Sequence, residues 1–257
     1  MANSTEVKNF YNNFTDSRMV QYRLYGNPRI DQAIELIKNY TFENSNILDI
    51  GCGIGIVPEK IAKKLTSGHI WACDISERNI EYAKKTIISE KIDFLVTDIL
   101  ENFSEVTTTI DRPIDLVSLV DVIEHLPIEK HKILFANLDK ITSEQAVIIL
   151  TYPSPQYQSY LKQNEAEELQ VVDEEIEIGD LIKVASQANF HLKHFSYVDI
   201  WKNNQYIHCV FAKNLDCIEQ PKPNLGTQIK QKLKHYQSKI LLPYVKYKYL
   251  DRSSPKK

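Results

Sequence analysis

A chain of 257 residues with 43% hydrophobic and 10% aromatic content can bury one sizeable core and carry appendages. Its four cysteines, Cys52, Cys73, Cys209 and Cys217, form no CxxC pair, and no apolar run approaches the ~20 residues of a membrane span, which argues against a disulfide framework, a zinc knuckle and a transmembrane protein. The start MANSTEVKNFYNNF lacks the basic and apolar segments of a secretory signal, so a cytoplasmic protein with reduced thiols is expected.

In chain order, Phe10, Tyr11 and Phe14, with Tyr22 and Tyr25 beyond, make the first segment too aromatic for a solvated arm. Asn27 and Pro28 read as an N-cap and first helical position, followed by Ile30, Ala33, Ile34 and Ile37 at helical spacing. Asn46 to Ile50 is a short buried strand, Gly51-Cys52-Gly53-Ile54-Gly55 a loop, and Val57, Ile61 and Leu65 the face of the next helix. The unit repeats: a strand from His69 ends in Asp74, Ser76 caps a helix bearing Ile80 and Ala83, and a third strand, Phe94 to Val96, leads to Asp98. Asp115 to Val120 and Ala146 to Leu150 are two more strands flanking a helix from Lys130 to Ile141. Past Leu150 come a Pro- and Tyr-rich piece with Tyr152 and Tyr157, an acidic stretch, a helix from Ile178 to Ala188, and two long strands, Phe190 to Trp201 and Gln205 to Ala212, joined by a tight turn.

This alternation predicts an α/β fold, a doubly wound, mostly parallel seven-stranded sheet with a C-terminal antiparallel hairpin and helices on both faces. The expected organisation is a helical lid or cap at 1–40, a main domain at 41–214 with an insertion around 152–178, and a basic extension at 215–257. That extension holds ten Lys and Arg against three acids, and the rest of the chain 21 against 31. In the extension Ile229, Leu233, Tyr236, Ile240 and Tyr244 trace an amphipathic helix suited to packing on the chain's own acidic body or on a second copy.

Glycines at 51, 53 and 55, between a buried strand and a helix, let the backbone turn sharply and a ligand approach closely, and the helix's first amides add positive potential. Asp49, Asp74 and Asp98 stand at the carboxyl ends of three successive strands, where an open parallel sheet binds its ligand. An acid at the end of the second strand can accept from both hydroxyls of a ribose.

At Leu48 to Gly55, Asp74 and Asp98 the sequence resembles the class I, Rossmann-like S-adenosylmethionine-dependent methyltransferases, over roughly residues 46–213. The resemblance implies a cofactor set of Asp49, Gly51, Cys52, Gly53, Gly55, Asp74, Ile75, Asp98, Ile99 and Asp121, with Asp74 on the ribose and Asp98 on the adenine amino group. It also implies a lid that brings Tyr11 near the transferred methyl and acceptor contacts from Tyr22, Tyr152 and Tyr157. The run Asp121-Val122-Ile123-Glu124-His125-Leu126-Pro127 is similar to the VIEHLP segment of many small-molecule methyltransferases. Related segments in small-RNA 2'-O-methyltransferases hold a metal with a further histidine, but the later loop here offers Glu174, Glu175 and Glu177 instead, so no metal is expected.

His125 and Glu124 are candidate catalytic residues, since an imidazole can take a proton from a hydroxyl or amine; the alternative is that they only shape the loop. Eight acids from Glu165 to Asp180 can recognise a cationic acceptor or form a solvated face. The expected function is methyl transfer to an oxygen, in preference to a nitrogen, of a small molecule, with specialised metabolites among the candidates. An RNA 2'-O-methyltransferase and an inactive cofactor-binding partner subunit are the alternatives. The acidic body argues against nucleic acid, and a homodimer through either terminal extension is open.

Overall fold

The computed structural model describes residues 8, 18–166, 169, 172–215, 232–233 and 236–237. The chain divides into two units, 1–215 and 216–257; in the second, helical backbone is described at Lys232, Leu233, Tyr236 and Gln237. The remainder of the expected amphipathic helix, and Tyr11, lie outside the described residues.

Seven strands form one sheet in the order β3-β2-β1-β4-β5-β7-β6. They are β1 Asn46–Ile50, β2 His69–Asp74, β3 Ile92–Val96, β4 Ile114–Val120, β5 Thr142–Pro153, β6 His191–Val198 and β7 Tyr206–Ala212. β1 to β5 pair in parallel, and β7 runs antiparallel to both β5 and β6. The helices are α1 Arg18–Tyr25, α2 Pro28–Tyr40, α3 Ile56–Ala62, α4 Glu77–Thr86, α5 Phe103–Thr109, α6 Ile128–Ile141, α7 Pro155–Asn164 and α8 Ile178–Gln187. A 3-10 turn, Ile123–His125, follows β4.

Each face of the sheet carries a core. On one side Leu48, Ile50, Val117, Leu119, Ile148, Leu150 and Tyr152 pack with Phe135, Leu138, Leu181 and Phe190. On the other Ile47, Leu116, Ile149 and Val210 pack with Ile34, Ile37, Val57, Ile61 and Ile80. Strands covered on both sides read as unbroken apolar runs, which is why they were visible in the sequence. The caps also form as expected: Asn27 Oδ1 accepts from Arg29 N at 3.0 Å, and Ser76 Oγ from Asn79 N at 3.2 Å.

α5 is absent from the sequence reading, and beyond Leu150 three elements differ from it. β5 continues beyond Leu150 to Pro153, because β7 offers a ladder as far as the Pro153–Tyr206 pair. The Pro-rich piece then becomes α7, with Ser154 as N-cap accepting from Tyr157 N at 3.1 Å and Pro155 at the first position, where its missing N–H costs nothing. β6 stops at Val198, and Asp199 to Gln205 form a loop in which Gln205 Oε1 accepts from the amides of Trp201 and Lys202.

Candidate active site

The glycine loop joins β1 to α3 at the carboxyl edge of the sheet. Gly51 N and Cys52 N both donate to Cys73 O, at 2.8 and 3.0 Å, so the loop is laced to β2. Gly51 (φ 71°) and Gly55 (φ 82°) are left-handed. A Cβ at Gly51 would lie 2.3 Å from Val122 Cγ2, and one at Gly55 2.5 Å from Ile87 Cδ1. The glycines therefore serve protein packing.

Asp74 is almost fully buried at the end of β2. Its Oδ2 accepts from Gly53 N at 2.8 Å, and its Oδ1 from Ser76 N at 2.8 Å and Asn79 Nδ2 at 3.2 Å. Burial raises its pKa, against the pull of these three donors. Asp49 is registered opposite Ser118, whose Oγ donates to its Oδ1 at 2.5 Å, while Oδ2 is buried without a hydrogen-bond partner. Burial, opposed by Ser118 and reinforced by the charge of Asp74, pushes the Asp49 carboxyl up to about 7. Asp98 lies two residues past β3, and its Oδ1 accepts from Leu100 N and Glu101 N at 3.0 and 3.3 Å. Ile99 and Cys52 are buried, and Ile75 is half-buried.

The turn after β4 forms the other wall. Asp121 has φ 55°, unusual for a residue with a side chain, and its amide donates to Thr151 O at 2.8 Å. Its Oδ2 is 3.0 Å from Arg29 Nε, and Arg29 Nη1 donates to Tyr206 Oη at 2.9 Å with the guanidinium 5.5 Å from the Tyr206 ring centroid. Tyr22 lies close enough to bias the Arg29 charge. Tyr206 in turn faces Tyr157 across 6.2 Å, and Tyr157 stacks on Tyr160.

Glu124 is 1% exposed and its Oε2 has no hydrogen-bond partner; burial raises its pKa. The His125 Nδ1 donates to Val172 O at 2.7 Å and lies 3.2 Å from Asp173 Oδ1, and its Nε2 is 3.8 Å from Glu124 Oε1. Burial disfavours the imidazolium, but Glu124, Asp173 and the Val172 carbonyl outweigh it and raise the pKa to about 9. Glu174 N also donates to Glu124 O at 2.9 Å, so the acidic segment is bound across the turn. His131 is buried beneath it, its Nε2 within 3.1 Å of both Ile123 O and Leu126 O.

The raised His125 pKa has a thermodynamic consequence. A histidine free at ~6.5 and held near 9 in the fold contributes stability that is fully present below about 6.5 and lost as the pH rises through about 9. The wild type should therefore lose on the order of 2 kcal/mol relative to His125→Gln between pH 6.5 and 9.5, measured by urea titration at each pH. Parallel curves for the two proteins would exclude a charged His125.

The structure thus brings together Asp49, Gly51, Cys52, Gly53, Gly55, Asp74, Asp121, Glu124 and His125 at one edge, with Tyr22 and Tyr157 near Arg29 and Tyr206. Tyr152, expected at the acceptor, is fully buried in the core. His208 on β7 is buried, its Nε2 has no hydrogen-bond partner, and burial with His194 nearby lowers its pKa to about 4. Among the described residues no group of three His, Cys, Asp or Glu converges as a metal-ligand set. Arg29 and Tyr206 were not anticipated; their only sequence signal is the position of Arg29 in the first turn of a helix that leads into β1.

A glycine loop and three acids at the edge of a sheet closed by a reversed hairpin define a Rossmann-like class I S-adenosylmethionine-dependent methyltransferase. The chain belongs to the methyltransferase-domain family, whose model matches residues 22–200. It is 28% identical over 124 residues to a ribosomal protein L11 methyltransferase of Thermotoga neapolitana, covering 48% of this chain and 43% of that protein. To a ubiquinone biosynthesis O-methyltransferase of Hydrogenovibrio crunogenus it is 29% identical, covering 65% and 70%. The chain spans less than half the length of the first of these curated relatives. The fold is shared with the magnesium protoporphyrin IX methyltransferase of Synechocystis bound to S-adenosylhomocysteine, at TM-score 0.64 and 16% identity over 82% of this chain and all of that one. Among the described residues no helix is long and apolar enough to cross a membrane.

Proposed function

We propose that the chain methylates an oxygen, in preference to a nitrogen, of a small molecule. The observation that supports this reading is the closeness of Val122 to Gly51, which sets the turn bearing the buried carboxyl of Glu124 beside the glycine loop. Bound S-adenosylmethionine supplies an electrophilic methyl on a sulfonium whose departing thioether is neutral, so proximity and alignment do much of the work.

The chain's polar groups match the donor's in kind. Asp49 Oδ2, buried without a partner, suits an ammonium; Arg29, whose Nε makes no hydrogen bond despite the nearby Asp121, suits a carboxylate; Asp74 and Asp98 suit the ribose and the adenine amino group. Glu124, with its pKa raised by burial, has the character of a general base for an acceptor hydroxyl. His125, charged and turned toward Asp173, then positions Glu124 rather than taking the proton itself. Tyr22 and Tyr157 border the acceptor side, and Tyr11 is assigned to the lid.

The purified chain should bind S-adenosylhomocysteine by calorimetry and, given donor labelled in its methyl group and a metabolite extract, release a labelled low-molecular-weight product. Label appearing only in RNA or protein would overturn the acceptor class. Absence of homocysteine-product binding would overturn the donor assignment.

A further inference from the structure

We infer that Arg23 is a positioning residue that clasps α1 onto the donor-binding loop and so sets how tightly cofactor and product are retained. The inference rests on the reading that the glycine loop holds the cofactor, and it concerns a residue outside the family's glycine and acid pattern.

Arg23 lies in the last turn of α1, and its side chain is only 19% exposed. Its guanidinium reaches three separate elements. Nη1 donates to Ile54 O at 3.2 Å, within the glycine loop itself; Nη2 donates to Glu59 Oε2 at 2.7 Å, in the first turn of α3; and Cζ lies 6.0 Å from the centroid of the Tyr82 ring on α4. A planar fork is the one side chain that can meet a carbonyl and a carboxylate at once while resting near an aromatic ring. Ile54 stands between Gly53 and Gly55, both left-handed, so the carbonyl that Arg23 grips belongs to the part of the loop whose shape is least constrained by its own side chains.

A second tether follows the same line. Lys8 Nζ is 2.8 Å from Glu77 Oε1 at the start of α4, two residues beyond Ile75. Adjacent to Arg23, Tyr22 faces the Arg29 cluster, and Gly26 (φ 77°), whose amide donates to Tyr22 O at 2.9 Å, turns the chain into α2. The short α1 therefore joins the glycine loop to the Arg29 cluster, and Arg23 is what fastens it to the loop. The clasp fixes the Ile54 carbonyl and the first turn of α3, so loop movement that accompanies ligand exchange requires the guanidinium to leave Ile54 O and Glu59.

The test is stopped-flow dissociation of S-adenosylhomocysteine from the full chain. Arg23→Gln should release it about tenfold faster than the wild type, with a matching rise in Kd, and Arg23→Lys should recover only part of the difference, because an ammonium cannot hold both acceptors in the same geometry. Glu59→Gln should weaken retention in the same direction and add little to Arg23→Gln in the double variant. Chymotrypsin should cleave at Tyr22 or Tyr25 faster in Arg23→Gln, and the product should slow cleavage in the wild type more than in the variant. A merely structural Arg23 would lower the melting temperature while leaving the dissociation rate within twofold, and that result would overturn the clasp. Wild-type protein that binds no product at all would instead overturn the reading of the loop, so the two failures are distinguishable.

Discussion

Asp74→Ala is expected to abolish measurable cofactor binding and also to destabilise the fold. The substitution does more than remove the acceptor for a ribose. It leaves Gly53 N, Ser76 N and the Asn79 amide, all buried or nearly so, without the carboxylate that now receives them. Each buried donor left unpaired costs ~1–3 kcal/mol, and sharing one cavity makes the sum less than additive, so a stability loss of about 3 kcal/mol is expected. Because Gly53 N is one of the three, the loop itself loses its hold on β2, and binding falls by at least a hundredfold, beyond the ribose contact alone. Asp74→Asn should keep part of the stability, since one amide oxygen still accepts, yet bind poorly. Urea titration separates the two effects from calorimetry with S-adenosylhomocysteine. A variant with wild-type stability and only a small affinity loss would mean that Asp74 is turned to the ligand and not to the loop.

Arg29→Ala should have an effect of similar size for a different reason. Arg29 and Asp121 are both mostly withdrawn from solvent, with side chains 23% and 14% exposed. Burial is the largest influence on the guanidinium and lowers its pKa, but Asp121, Tyr206 and Tyr22 together outweigh it and raise it, whereas burial raises that of Asp121 and Arg29 is the largest influence holding it down. Truncation therefore strands a carboxylate in a poor medium and removes the donor to Tyr206 Oη. Breaking a fully buried pair costs ~3–5 kcal/mol; with residual exposure, about 2–3 kcal/mol is expected. Asp121 should then take up a proton closer to neutrality. Its stability deficit should shrink as the pH falls, because a raised carboxyl pKa is a penalty present only where the unfolded carboxylate is ionised. Arg29→Lys should restore charge but not the reach to Asp121 and Tyr206 together, leaving most of the loss in cofactor affinity. Full recovery by lysine would show that charge alone matters at this position.

The acidic stretch shows why surface charge is read poorly from sequence. A run of acids can form a recognition patch, but in the fold Asp173 turns to His125, Glu175 to Lys162 at 2.8 Å and Glu165 to Lys202 at 3.4 Å. Part of the charge is thus spoken for inside the chain. Tyr152 was legible in principle: it continues the period-two series Ile148, Leu150, Tyr152, which places it on the core face once β5 is allowed to run to Pro153. The extension is set by pairing with β7, more than fifty residues further on, and local pattern carries no trace of that partner.

The donor side was determined by the sequence itself. Buried strands, the glycine triplet, and acids at strand ends are local features, and the handed connections of a parallel sheet bring such strand ends to one edge without further information. The wall opposite the glycine loop was decided only by the tertiary structure. Arg29, Asp121, Tyr206 and Tyr157 belong to α2, the turn after β4, β7 and α7, and they meet because the N-terminus of α2 lands beside the β4–β5–β7 edge. The same holds for His125. Its residue type marked it as a base, but Glu124 beside it, with the carboxylate of Asp173 and the carbonyl of Val172, raises its pKa to about 9, and no spacing in the chain specifies the last two neighbours.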